Sequence, residues 1–305
     1  MPTHSIRLIV NPNADLGRAW RTASDLRPVI EEFGGADWAG TVYPTHATEL
    51  ARQAAEDGYK LVIAAGGDGT ANEVMNGLMQ VPPEQRPLFG VVPLGSGNDF
   101  SHMAGMDSRP AYALRQVLTG KPHNIDLALL ELDYGRKLYF GNALGIGFDA
   151  TVTIRAHQLT RARGFMMYLT AVLQTIILNH EAPRLQVTTD AESWDEPMVM
   201  LTICNGPREG GGFMVAPQAR PDDGILHYAG IRKLSRLMML RLIPEVMKGT
   251  HGKFKQTRMG TMKRMTLQSD RRLTIHADGE ILSGFDMNVR NLSLELIPAA
   301  LQMVR

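Results

Sequence analysis

The chain has one cysteine, Cys204, in 305 residues. No internal disulfide framework can form, and no Cys/His grouping suggests zinc. Long apolar runs are missing too. The most apolar stretch, Phe165–Leu178, is interrupted by Thr170, Gln174 and Thr175 and falls short of the ~20 residues a bilayer span needs. A packed helix is expected there instead. Net charge is nearly absent, with Lys+Arg 32 against Asp+Glu 31, which argues against a protein that coats nucleic acid. There is no internal repeat and no low-complexity tail. The first residues run straight into strand-like Ser5–Val10, leaving no room for a secretory leader, so cytoplasmic residence is expected.

The charge is neutral only on average. Between Arg232 and Arg264 there are ten basic residues and a single acid, Glu245, a local excess that points to an anionic surface. Within it, Leu234–Met247 reads as a helix in which Met239, Leu242 and Ile243 share a face separate from Arg241. Two readings stay open: that face inserts shallowly as part of a peripheral contact with the inner face of an anionic membrane, or it packs against the second domain with its arginines solvated.

The chain has 44% hydrophobic residues, Gly 30 and Pro 17, enough to bury a core in a turn-rich fold. Strand-like Ile6–Val10, Ala39–Tyr43, Leu61–Ala65 and Leu88–Val92 alternate with helical Arg18–Phe33, Thr48–Asp57 and Ala71–Met79. That alternation predicts an α/β nucleotide-binding domain with a parallel sheet over residues 1–125. After about Gly120, strands dominate: Asp126–Leu132, Lys137–Asn142, Leu185–Thr189, Met198–Asn205, Ile225–Ile231, Arg264–Ser269, Leu273–Ala277 and Val289–Ile297. Helices are expected only near Thr151–Thr160, Gly164–Leu178 and Leu234–Lys248. A mostly antiparallel β-sandwich domain over 126–288 follows, with 289–305 as a C-terminal segment returning to the first domain.

Three polar, glycine-containing loops follow the strands of the first domain. The richest is Gly66-Gly67-Asp68-Gly69-Thr70-Ala71-Asn72-Glu73. Its glycines let backbone N–H groups converge on a phosphate, and the helix behind adds its positive end. Asp68 suits such a site if a Mg²⁺ accompanies the phosphates. Alone, Gly-Gly-Asp-Gly also reads as a tight turn, and it matches neither the Walker pattern nor the dinucleotide fingerprint. Asn11-Pro12-Asn13 with Gly17, and Gly95-Ser96-Gly97-Asn98-Asp99-Phe100, supply the other two loops. Three such loops at successive strand ends favour one shared ligand.

Together with Asn124-Ile125-Asp126, Gly145-Ile146-Gly147-Phe148-Asp149 and Asp278-Gly279-Glu280, these motifs resemble the diacylglycerol kinase catalytic-domain family, in particular its soluble bacterial lipid kinases. The resemblance implies ATP over the Gly66–Asn72 loop, held through Asn11, Thr41, Gly66, Gly67, Asp68, Gly69, Thr70, Asn72, Ser96 and Asn98. Ser96 is usually threonine in that family and keeps the hydroxyl; Ala71 replaces a larger aliphatic residue. The general base is implied at Asp278-Gly279-Glu280, with Glu280 preferred and Asp278 the alternative, although the bare tripeptide reads as a hairpin turn. Asp126 is implied in a Mg²⁺-water network near the phosphates, and Asp149 in a supporting role. A second, structural Mg²⁺ is implied at the Asp223 side chain with the carbonyls of Arg220 and Ile225. His276 is expected to be a packed neighbour, and Cys204 buried and inert.

The expected activity is transfer of the ATP γ-phosphate to a lipid hydroxyl at a membrane surface, on a diacylglycerol-like substrate. A homodimer is compatible with the resemblance. The alternatives are an NAD kinase, which shares Gly-Gly-Asp-Gly, and a catalytically silent nucleotide- or lipid-binding regulator.

Overall fold

The computed structural model describes residues 4–159, 164–179 and 181–305, with Leu16 as backbone only. Two compact units are present: Met1–Asp126 with Pro298–Arg305, and Leu127–Ile297.

The first unit is built on a parallel sheet. Ile6–Val10 lies between Asp37–Gly40 and Leu61–Gly66, and Leu61–Gly66 pairs onward with Leu88–Pro93. The end of the last strand, Asn291–Val304, adds in parallel through Met303 opposite Phe89. Leu61–Gly66 is buried at every position, as expected of a central strand covered on both faces. One cover is a close helix pair. His46–Glu56 turns Ala47, Ala51, Ala54 and Ala55 inward against Asp68–Leu78, where a Cβ on Gly77 would stand 2.3 Å from the Thr48 carbonyl oxygen. Small residues on both helices permit that approach.

The single helix expected over Arg18–Phe33 is two short ones, Ala19–Ser24 and Arg27–Glu32, preceded by the turn-long helix Ala14–Gly17. Pro28 lies in the first turn of the last one. Proline cannot donate the amide that would continue the preceding helix, so the chain restarts there.

The second unit is a sandwich of antiparallel strands. One layer runs Lys137–Phe140, the strand over 127–132, the strand over 291–297, Arg264–Ser269 and Arg184–Thr189, which pairs with the first half of Ser193–Cys204. The other layer carries the second half of that strand between Ala143–Gly147 and Leu226–Arg232, extended by Ile275–Ala277, Glu280–Ser283 and Thr257–Met262. Arg264–Ser269 alternates exposed and buried positions, the signature of a strand covered on one face. Leu267, Leu292 and Val187 from one layer and Leu144, Ile203 and Ile275 from the other share one core.

The helices Phe148–Gln158, Gly164–Leu178 and Arg236–Met247 cover the outer face of the second layer through Val152, Val172, Ile176, Met239 and Leu242. Met198–Cys204 is therefore buried at every position. Pro244 stays inside its helix. Thr160, the expected end of the first of these helices, lies outside the described residues.

Candidate functional site

In the first unit the parallel strands end level with one another, and their ladder runs one residue further. Thr41 N donates to Val10 O at 2.9 Å, Asn11 N to Ala65 O at 3.0 Å and Leu94 N to Gly66 O at 2.8 Å. This continuation sets Thr41, Asn11, Gly66 and Pro93 side by side, with Gly67 and Leu94 one residue further on. Asn11 Nδ2 donates to Thr70 Oγ1 at 3.1 Å, joining the first loop to the helix that opens at Asp68. In the third loop Asn98 adopts a left-handed φ of 54°; its side chain accepts from Gly95 N at 2.9 Å and donates to Gly95 O at 2.7 Å. Ser96 Oγ donates to Asp15 Oδ1 at 3.2 Å.

Two glycines are required by proximity. A Cβ on Gly95 would stand 2.4 Å from the Gly67 Cα, and one on Gly66 would stand 2.4 Å from Thr70 Oγ1. The loops after the third and fourth strands therefore touch backbone to backbone. Asn72 is buried behind them, its backbone and side-chain oxygens accepting from Asn76 Nδ2 at 3.0 and 3.1 Å. Gly69 lies in the first turn of the Asp68–Leu78 helix.

Three acids of this unit are met by backbone amides. Asp68 Oδ1 accepts from Phe100 N at 2.8 Å, fastening the start of the Asp99–Met103 helix. Glu73 accepts from Thr45 N and Ala47 N at 2.9 and 3.1 Å. Asp126, buried, accepts from Ala299 N at 2.8 Å and holds the left-handed bend at Ala299, φ 49°.

In the second unit Asp278-Gly279 forms the two-residue turn between Ile275–Ala277 and Glu280–Ser283. Both φ values are positive, 47° and 85°, as a type I′ hairpin demands. The Asp278 carboxylate is buried and accepts from Gly141 N, Asn142 N and Ala143 N at 2.8, 2.9 and 2.9 Å. Glu280, two residues on, is exposed. The hairpin thus separates a carboxylate engaged by three amides from one presented at the surface.

His276 points the other way, into the protein, and is 1% exposed. Its Nε2 lies 2.9 Å from Glu209 Oε1 and 3.8 Å from Asp149 Oδ2; Thr202 Oγ1 donates to the same Asp149 oxygen at 2.6 Å. Burial alone would depress the His276 pKa, but Glu209 and Asp149 overcome it and raise it to about 10. Burial and the neighbouring Asp149 push Glu209 up to about 8. Asp149 is shifted down, burial being outweighed by His276 and Thr202. The donor atoms of the three residues lie within 4.8 Å of one another, a set that could ligate a cation. The imidazolium in direct contact with Glu209 already supplies the positive charge, and an ion-paired cluster is the better description. Gly145 makes room for it, since a Cβ there would stand 2.2 Å from His276 Nε2 and 2.6 Å from Asp149 Oδ2.

Asp149 and Glu209 also belong to the lining of an apolar cavity. Its walls include Val152, Tyr168, Val172, Ile176, Val199, Phe213, Ile231, Met239, Leu242, Ile243 and Val246. Met239, Leu242 and Ile243 line this cavity, so of the two readings the sequence leaves open for that face, packing against the second unit holds and membrane insertion does not. Glu209 was not anticipated; its one local signal is its place before Gly210-Gly211-Gly212, where Gly210 and Gly211 have φ of 61° and 72°. Cys204 is buried, and burial pushes its thiol pKa well up.

The Arg220–Ile225 turn lies apart from the cavity lining. Asp223 Oδ1 accepts from Ile225 N at 3.2 Å, and Oδ2 lies 3.7 Å from His227 Nε2. Arg220 and Ile225 flank this carboxylate in the chain, so the turn offers hard oxygen donors of the kind Mg²⁺ takes.

Residues 5–130 match the family model described as diacylglycerol kinase catalytic domain, and residues 142–305 match the YegS C-terminal NAD kinase beta sandwich-like domain. A protein of Chromohalobacter salexigens named "probable lipid kinase YegS-like" is 38% identical over 205 residues, which is 64% of each chain and so just under two thirds of that relative's length. Its namesake in Cronobacter sakazakii is 31% identical over 84% of this chain and 81% of its own. A crystal structure of a diacylglycerol kinase from Bacillus anthracis superposes with a TM-score of 0.73 at 21% identity, over 98% of this chain and 96% of that one. At that identity the likeness speaks to the fold.

Proposed function

Since the chain belongs to the diacylglycerol kinase catalytic-domain family, we propose that it is an ATP- and Mg²⁺-dependent lipid kinase acting on a diacylglycerol-like alcohol at the cytoplasmic face of a membrane. The observation that carries the substrate class is the cavity of the second unit. It is walled by aliphatic and aromatic side chains, with Asp149, Thr153 and Glu209 the polar residues of its lining. Such a site suits an acyl chain with a polar group at its end, and a dinucleotide finds few partners there.

ATP binds at the three loops of the first unit. Backbone N–H groups around Gly66, Gly67 and Gly69 face the phosphates, with Asn11, Thr41, Thr70, Asn72, Ser96 and Asn98 shaping or contacting the nucleotide. The contact between Gly67 and Gly95 keeps side-chain bulk out of the phosphate path. Asp68 and Asp126 orient the metal's water shell, and Mg²⁺ supplies charge neutralisation on the phosphate oxygens. A second Mg²⁺, held by Asp223 with the Arg220 and Ile225 carbonyls, stiffens the turn.

Glu280 is the general base. It accepts the proton of the lipid hydroxyl as that oxygen bonds to the γ-phosphorus, and the bond to the β–γ bridging oxygen breaks to release ADP. Asp278 is a poorer choice because its carboxylate is engaged by the amides of Gly141, Asn142 and Ala143. Its task is to hold the hairpin that carries Glu280.

Purified protein is incubated with γ-labelled ATP, Mg²⁺ and, in separate reactions, diacylglycerol in mixed micelles or NAD. Label in the lipid phase is expected. Label in the dinucleotide alone would replace this reading with an NAD kinase, and no transfer to either would leave a binding regulator.

A further inference from the structure

The helices that wall the cavity are apolar on their outer sides as well. Gly164–Leu178 has no charged residue in fifteen positions. Met166, Leu173 and Ile177 recur along one outward stripe with exposures of 59%, 40% and 66%, and Leu178 beside them is 63% exposed. On Arg236–Met247 the solvent face reads Leu237, Leu240, Pro244 and Met247, with Leu237 78% and Leu240 43% exposed. At 100° per residue these four fall within an arc of about 80°. Arg236 borders the arc on one edge, and Arg241 and Lys248 border it on the other. Arg236 Nε donates to the Ile176 carbonyl at 3.0 Å, which ties the start of the second helix to the end of the first.

A helix that is apolar all round requires cover on both sides. The sandwich layer and the cavity cover one side. Neither helix is long and apolar enough to cross a membrane, so the other side suits a surface on which they lie flat. We propose that this two-helix face docks on an anionic lipid bilayer, seating the cavity's helices at the acyl boundary from which substrate is drawn. The proposal rests on the lipid-kinase reading for its purpose, but not for its geometry.

Charge selects the bilayer over a second copy of the chain. Among the described residues Lys233, Arg236, Arg241, Lys248 and Lys255 make no ion pair with a carboxylate, whereas Arg232 and Arg258 are engaged by Glu196. Two copies meeting through this face would set the same basic edges against each other. Lipid phosphates would neutralise them, and the attraction weakens with salt.

The test is co-sedimentation with vesicles of pure phosphatidylcholine or of phosphatidylcholine with phosphatidylglycerol. It compares wild type, Ile177→Gln/Leu237→Gln and Arg241→Glu/Lys248→Glu. None of the four positions lines the cavity, and equal thermal transitions confirm folding. Wild type should prefer the anionic vesicles, and each double variant should bind them about tenfold more weakly or worse. Both variants should lose turnover on vesicle-embedded diacylglycerol yet match wild type on a water-soluble short-chain one. Variant binding equal to wild type, no wild-type binding, or a wild-type dimer dissolved by Ile177→Gln/Leu237→Gln would overturn the docking surface. Vesicle binding with no phosphate transfer to any lipid would instead leave the docking surface standing and remove the lipid-kinase reading.

Discussion

In the first unit, acids drawn toward the loops are met by backbone amides: Asp68 by Phe100, Glu73 by Thr45 and Ala47, Asp126 by Ala299. The second unit does the same at Asp278, Asp190 and Asp133, and then departs from it by burying His276 against Glu209 and Asp149. An amide cannot titrate, so the first arrangement gives fixed geometry at working pH. A buried imidazolium between carboxylates gives geometry that depends on protons. One unit fixes its loops with groups that do not titrate, and the other places ionisable groups in the lining of an apolar cavity.

The largest effect expected is at the hairpin where the two habits meet. Glu280→Gln should lower turnover by about 10²–10⁴ while ATP affinity and thermal stability stay near wild type. Asp278→Asn should instead destabilise the fold, because an amide NH₂ would face one of three backbone donors; each charge-assisted bond lost costs roughly 1.5–3 kcal/mol. Turnover with ATP titrations and thermal melts on both variants check this division. A stable, inactive Asp278→Asn beside an active Glu280→Gln would reverse the assignment.

A smaller effect is expected from Gly95→Ala in the first unit. Its Cβ would lie 2.4 Å from the Gly67 Cα, and two backbones cannot yield as a side-chain tip can. Overpacking of this kind costs about 1–3 kcal/mol, to be read as a comparable loss in ATP affinity by calorimetry. Unchanged ATP affinity would mean that the loop contact does not shape the nucleotide site.

A pH dependence should also separate the units. In the folded chain Glu209 keeps its proton to about 8 rather than 4.5, and His276 to about 10 rather than 6.5. Both bind more protons folded than unfolded, so their contribution is complete in mild acid. It falls as pH rises, through 4.5 to 8 for Glu209 and 6.5 to 10 for His276. Asp37 in the first unit runs the opposite way. Side-chain hydrogen bonds from His4 and Tyr59 lower it from 3.8 to about 2, so its contribution is lost as pH falls through that window. Thermal melts from pH 6.5 to 10 should decline for wild type and flatten for His276→Gln/Glu209→Gln; parallel slopes would remove the protonated cluster.

The same contrast decides what could be read from the sequence. The glycine loops of the first unit are local: strand, glycines and helix start lie within a dozen residues, and the need for positive φ or close approach is written in residue type. Asp149, Glu209 and His276 meet only through sheet pairing and share no local signal. The basic helix carries two apolar stripes, and periodicity alone does not decide whether Met239, Leu242 and Ile243 pack inward or meet a membrane; the structure packs them and turns Leu237 and Leu240 out. Helix boundaries near Pro28 failed for a readable reason, an absent amide. The last strand, expected over Val289–Ile297, runs Asn291–Val304 because Asp126 holds the bend at Ala299 and lets pairing continue beyond it.

The most direct test of the central claim follows the phosphate into the lipid itself. Wild type and Glu280→Gln are incubated with γ-labelled ATP, Mg²⁺ and diacylglycerol, and the extracted lipids are resolved by mass spectrometry. A monophosphorylated lipid bearing the label with wild type, about 10²–10⁴ less of it with the variant, and equal ATP binding by both are the results predicted. Label released only as inorganic phosphate, or a phosphorylated lipid formed equally by both proteins, would contradict it.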